Sequence, residues 1–222
     1  MIIGRVARIR QAVFAARELD AARARLSGEL GLGEPFSDPD VGYFGLENAV
    51  WAVGDTFLEV VSPVQDGTAA GRLLERRGVG ECGYMVMFQV DDLDAARERV
   101  TAAGVRTVFE VDVEEIREVH LHPADMRGAI VSLSEPRPRE SWKWGGPGWE
   151  RRSVGGAIAG ISVAVADPGA VGDRWRAVVG DLPDGVEFVA DRGEPGLTSI
   201  RVERDGVVHA LAPRAMSAPS NR

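Results

Sequence analysis

The pentapeptide LDAAR occurs twice, at 19–23 and at 93–97, an offset of 74 residues. A chain that restarts a helix in the same context at that distance is built from duplicated supersecondary units, and such units bury their apolar faces against one another. Each copy follows a run of period-two alternation, RQAVFAA at 10–16 and YMVMFQV at 84–90, so a strand precedes each helix. Leu19, Ala22, Leu26 and Leu30 share one face of the first helix, with Gly31 as its stop. Leu93, Ala96, Val100 and Ala103 do the same in the second, with Asp91 or Asp92 as N-cap and Gly104 as the stop. Short β-like runs follow: ENAVWAV and TFLEVVS around a Gly54-Asp55 turn in copy one, and GVRTVFEV, IREVHLH and GAIVSLS in copy two. The expected fold class is α+β, made of repeated βαβββ modules.

A connecting helix is expected in DGTAAGRLLERRGVG (66–80), with Asp66 near its start and Gly78 past its end. Residues 1–135 form the paired unit. The segment 136–157 reads as a linker: EPRPRESWKWGGPGWERR (135–152) holds three Pro, three Gly and three Trp, which suits neither helix nor strand. A third, weaker module is expected over 158–213, where AGISVAVADPGAVGDRWRAVVG matches the first strand and helix and DGVVHALAP matches DTFLEVVSP. Residues 214–222 read as a frayed tail.

Composition excludes several function classes. With 26 Lys+Arg against 34 Asp+Glu and a net charge of −8, the chain lacks the basic stripe that displaces counterions from nucleic acid. No apolar stretch approaches the roughly 20 residues of a membrane span, and MIIGRVARIR lacks the apolar core of a secretory signal, so a cytoplasmic protein without a membrane partner is expected. Cys82 is the only cysteine, which excludes an internal disulfide and a cysteine-based zinc site; Lys143, the only lysine, argues against Schiff-base chemistry. There is no glycine-rich phosphate loop, nucleophile elbow or HExxH motif.

The succession LDAAR helix, GDTFLEVVSP, RLLERRGVG, FQVDDLDAARERVTAAGV and HLHPADMRGAIVSLSEP resembles the glyoxalase, or vicinal-oxygen-chelate, superfamily, in particular its methylmalonyl-CoA epimerase-like members, over about residues 7–135. The resemblance implies paired modules whose sheets form a cup around a divalent metal. Its ligands are a His or Gln on the first strand of each module and a Glu on the last. Position by position these fall on Gln11 and Glu59 in the first module, but on Met85 and Ser132 in the second. A thioether and a hydroxyl are poor ligands for a hard cation, so two of four positions are lost. Strand parity then places Val13, Ala15, Val50, Ala52, Phe57, Val61, Met87 and Gln89 on the cup face with Gln11, Glu59 and Met85. That lining is mostly apolar and suits an organic ligand.

Glu59 sits in an apolar strand, where a carboxylate is solvent-facing, paired or functional; desolvation in a cup would raise its pKa toward that of a general base. Gln11 is a metal ligand, a carbonyl-orienting amide or a polar edge residue. His120 and His122 share strand parity in VHLHP, where a cap competes with metal binding, and His122 is the candidate proton shuttle. His209 falls opposite Glu59 in the third copy and reads as structural. In the linker, Trp142, Trp144 and Trp149 accompany five cations against Glu140 and Glu150, a pattern for a lid over the ligand or for a tether anchored by its indoles. The expectation is a proton-transferring isomerase, epimerase or lyase acting on a carbonyl compound, with Glu59, Gln11 and His122 as catalytic candidates; the alternative is a metal-free binding or resistance protein using the same cup. A homodimer is expected, because a lone third module would leave an apolar sheet face and an edge unpaired.

Overall fold

A computed structural model describes residues 7–214. The expected frayed tail falls almost entirely outside that range. The first module runs β1 (Arg8–Ala16), α1 (Leu19–Leu30), β2 (Leu46–Val53) and β3 (Thr56–Pro63). Helix α2 (Ala69–Arg77) leads to the second: β4 (Glu81–Gln89), α3 (Leu93–Ala102), β5 (Thr107–Asp112), β6 (Ile116–Leu121), a single turn α4 (Pro123–Met126) and β7 (Ile130–Pro136). The third comprises a short α5 (Trp149–Arg152) in the approach, then β8 (Ala157–Val165), α6 (Pro168–Val179), β9 (Val186–Ala190), β10 (Gly196–Arg204) and β11 (Val207–Leu211).

The two LDAAR modules join into one seven-stranded sheet in the order β2-β3-β1-β4-β7-β6-β5. In each, the first strand lies parallel to the last and antiparallel neighbours follow outward; β1 and β4 pair antiparallel at the centre. The sheet is therefore pseudo-twofold, with β1 equivalent to β4, β3 to β7 and β2 to β6. Module one has no counterpart of β5 beyond a bridge from Phe36 to Val50, because residues 39–44 turn into a 3-10 helix instead. Both central strands carry a bulge at the equivalent place, Arg10 on β1 and Tyr84 on β4, where the partner register slips by one. A bulge turns two successive side chains toward one face. Arg10 and Gln11, and likewise Tyr84 and Met85, thus both reach the cup side.

Local signals explain the helices. Asp92 caps α3 by accepting from Ala95 N, and Leu93, Ala96 and Val100 are buried beneath it. Thr68, rather than Asp66, caps α2, accepting from Gly71 N. Gly31 and Gly78 end their helices at positive φ.

One face of the sheet, carrying Ala12, Phe14, Val60, Val86, Phe88, Val131 and Leu133, is covered by α1, α3 and the third module. This module has all five expected elements, but its four strands run β11-β10-β8-β9, with β9 parallel to β8. DGVVHALAP consequently forms an edge strand beside β10, not beside the module's first strand, and His209 pairs with Val202, so that β10 lies between it and Gly160, the counterpart of Gln11. Ile161, Val163, Ile200 and Val202 pack into the main core, and Trp175 of α6 lies edge-on between Phe88 and Phe188. The apolar face behind the homodimer expectation is covered within the chain, and that ground for a dimer is lost. Among the described residues no helix is long and apolar enough to cross a membrane.

Candidate functional site

The opposite face of the sheet carries Val13, Ala15, Val50, Ala52, Phe57, Val61, Met85 and Met87, and over it lies a cavity of about 790 Å3. That volume suits a drug-sized organic molecule. Glu59 projects from β3 into this apolar floor and is only 7% exposed. Its Oε2 accepts from Gln11 Nε2 at 2.6 Å and its Oε1 from Asn48 Nδ2 at 2.7 Å. Burial pushes its pKa up to about 7, against the two amide donors that favour the ionised form; the nearby charges of Asp38 and Glu118 push the same way as burial.

Both amides are held by other partners. Trp142 Nε1 donates to Gln11 Oε1 at 2.6 Å, and Asp38 N donates to Asn48 Oδ1 at 2.8 Å. An indole N–H and a backbone N–H only donate, so each amide oxygen faces away from Glu59 and each NH2 faces it. Gln11 therefore presents its nitrogen, not its oxygen, to the carboxylate. With Met85 and Ser132 at the other two positions, this donor set does not fit the divalent metal that the resemblance implies. Among the described residues no group of three His, Cys, Asp or Glu side chains is placed to hold a metal ion. Trp142→Phe keeps an aromatic ring against Phe57 but frees the Gln11 amide to turn. Losing one fixed N–H of this kind costs about 1–3 kcal/mol, and the Glu59 titration should move further up, read by carboxyl-carbon NMR; a downward shift would disprove this account of Gln11.

The second module supplies its own cluster. Glu118, on β6 at the place equivalent to Asn48, is 1% exposed; its Oε2 accepts from Ser134 Oγ at 2.6 Å and from Trp144 Nε1 at 2.8 Å, and its Oε1 meets His120 Nε2. Ser132 lies on the cup side of β7, its Oγ 3.0 Å from that of Ser134. The Trp-rich segment thus reaches both clusters, Trp142 through Gln11 and Trp144 through Glu118. It is held by Arg10, whose buried guanidinium lies over Phe57, Trp142 and Trp149 and donates to Gln89 and to the carbonyls of Glu140 and Ser141. The segment is thus tethered through its indoles, and its Lys143 and Trp144 line the cavity.

His122 is placed outside the cavity. It follows β6 as the N-cap of α4, its Nδ1 accepting from Ala124 N at 3.2 Å, with Arg106 beside it. His120 instead lines the cavity. Glu118, Asn48 and Tyr84 were not singled out from sequence. The alternation Ile116, Glu118, His120 carried the signal for Glu118, but the register of β6 against β7 is set by a turn, PADMRG, whose conformation no local motif specifies. Tyr84 lines the cavity through its bulge, and burial beside the Glu59 charge pushes its pKa up to about 12.

Comparison with known proteins agrees with this architecture. A family model described as a glyoxalase-like domain matches residues 12–179. The ethylmalonyl-CoA/methylmalonyl-CoA epimerase of Cereibacter sphaeroides is 26% identical over 136 residues, 59% of this chain and 98% of the relative. Methylmalonyl-CoA epimerase from Mycobacterium tuberculosis aligns with a TM-score of 0.53 at 23% identity, over 65% of this chain and 95% of that one. A methylmalonyl-CoA epimerase in complex with methylmalonyl-CoA and NH4+ aligns with a TM-score of 0.52 at 22% identity, over 62% and 100%. At such identities the structural likeness is one of fold, while the family match extends over most of the chain. With its repeat, its pseudo-twofold sheet and its cup, the chain belongs to the glyoxalase-like domain family.

Proposed function

We propose that the chain catalyses isomerase-type proton transfer at a carbon next to a carbonyl, on a small organic molecule bound in the cup. One observation carries this reading. Glu59, poised near neutrality, faces the cavity from one module, while Glu118 and His120 face it from the other. A base whose pKa lies near the working pH combines a useful ionised fraction with proton-transfer driving force. Glu59 would take the proton on one side of the substrate, and His120, held by Glu118, would return one from the other. Tyr84, kept protonated and lining the cavity, would donate its hydroxyl to a developing enolate oxygen. Loss of a leaving group after the same abstraction would be lyase chemistry; a second proton-carrying group favours isomerisation. The epimerase names of the relatives support this reaction type. The proposed location is the cytoplasm.

A second reading has its own support. Both Glu59 oxygens and both ends of Gln11 are already hydrogen-bonded, as in a site made to bind rather than react. The test is deuterium incorporation from solvent, followed by proton NMR, across a panel of carbonyl compounds that includes methylmalonyl-CoA and aminoketones. Exchange that depends on Glu59 is expected for at least one compound. Binding without exchange anywhere in the panel would favour the binding protein.

A further inference from the structure

The ionisable groups lining the cup are unbalanced. Asp38, Asp40, Glu59 and Glu118 face it, against Lys143 and His120. Lys143 is paired with Asp40, its ammonium 3.2 Å from that carboxylate and 5.3 Å from the centre of the Trp144 ring, and His120 lies against Glu118, which leaves Asp38 and Glu59 with no ion-pair partner of their own among the described residues. Of the arginines nearby none lines the cavity: Arg72, whose charge reaches Tyr84, donates to the Gly67 carbonyl outside it. Arg8 pairs with Asp55 and Gln89, and Arg10 lies beneath its three rings and the linker carbonyls. The mouth is aromatic and open. Tyr43 and Phe44, from the 3-10 helix of module one, meet Phe109 of module two with ring centres 6.1 and 4.9 Å apart. Tyr43 is 81% exposed and Phe44 39% exposed, although both line the cavity. Large aromatic surface left open at the rim of a cavity marks a ligand contact.

From this juxtaposition we infer that the cup takes an organic cation, an ammonium compound with an apolar or aromatic body, rather than a polyanionic thioester. The inference rests on the reading of the cup as the functional site and names its ligand class. Aromatic faces attract ammonium groups through their negative quadrupole, and carboxylates at the mouth add long-range attraction. A coenzyme A ester has several phosphate charges, which here would meet Asp38 and the Asp40–Lys143 pair at the entrance, with no unpaired cation lining the cavity among the described residues. The relatives whose names carry a CoA ester therefore share the fold of this cup without fixing its cargo. Combined with proton transfer, the chemistry points to a carbonyl compound that carries an amine.

Isothermal titration of the full chain at pH 8 and low salt tests this with three probes: 3-phenylpropylammonium, its carboxylate counterpart 4-phenylbutanoate, and propionyl-CoA. The ammonium probe is expected to bind at least about tenfold more tightly than either anion. Adding salt to about 0.5 M should weaken it several-fold through screening. The double variant Asp38→Asn with Asp40→Asn, in which an amide oxygen at position 38 can still cap the 3-10 helix, should lose most of the preference. Equal or tighter binding of 4-phenylbutanoate or propionyl-CoA would overturn the inference, as would no binding of the ammonium probe at millimolar concentration. The two readings fail separately. Ammonium binding without any deuterium exchange keeps the ligand class and removes the catalytic role, whereas exchange on methylmalonyl-CoA with preferred binding of propionyl-CoA does the reverse.

Discussion

Glu59→Gln is expected to lower deuterium exchange by about two to four orders of magnitude, the usual contribution of a positioned general base. Binding of the ammonium probe should survive, weakened, since Asp38, Asp40, Glu118 and the aromatic rim are untouched. The same variant should also change how stability depends on pH. The folded-state pKa of Glu59 is raised from 4.5 to about 7. The native protein therefore holds this proton more tightly than the unfolded chain, and stability falls as pH rises from about 4.5 through 7, then levels off. At 1.36 kcal/mol per pKa unit, the wild type should lose about 2 kcal/mol from this group between pH 5 and pH 8. Urea unfolding at the two values reads it. In Glu59→Gln that part of the slope should vanish, leaving a variant less stable at pH 5, because its NH2 meets an amide NH2 held in place by Trp142 or by Asp38 N. A slope equal to the wild type's would place the neutral titration on another group.

What the sequence made legible follows from how far each signal reaches. The repeat and the period-two runs rest on short stretches of chain, and they marked out the modules and the helix faces; the family resemblance put Gln11, Glu59 and Met85 at cup positions, and strand parity carried their neighbours with them. Asp92 caps the helix expected of it because a cap acts over three residues. The rest depends on contacts between distant segments. Gln11 read as a ligand because its residue type allows it; only Trp142, 131 positions away, turns its oxygen aside. His120 and His122 looked equivalent by parity, yet the strand ends at Leu121 and the next residue turns to cap α4. Tyr84 required a bulge, which period-two reading does not register. The third module was found by its strand and helix, but strand order belongs to tertiary pairing, and its last strand went to the edge.

That third module carries the other large expectation. A chain ending at Gly155 keeps the Trp-rich segment over the cup but loses the cover over Ala12, Phe14, Val86 and Phe88. Ile161, Val163, Trp175, Ile200 and Val202 are each at most 1% exposed where they pack. Each large apolar side chain contributes about 1.5–3 kcal/mol on burial. Five such residues approach the whole stability of an ordinary domain, about 5–15 kcal/mol. The shortened chain is thus expected to unfold or to self-associate through its uncovered sheet, and light scattering with urea unfolding would show either. Gly83 gives a gentler probe of the same contact, since a Cβ there would lie 2.1 Å from the Leu197 carbonyl oxygen. Backbone cannot yield as a flexible side-chain tip does, so Gly83→Ala should push β10 off β4 at a cost of about 1–3 kcal/mol. Gly206, in the β10–β11 turn, has open space where a Cβ would lie but sits at positive φ, so it is no neutral control; Gly28, on α1 with open space around it, is. Gly28→Ala should leave stability equal or raised, by the helix propensity of alanine. A monomeric, stable chain ending at Gly155, together with a neutral Gly83→Ala, would mean that the third module merely rests on the sheet. Loss in both would make it the second wall of the core, leaving only the cup face open to a ligand.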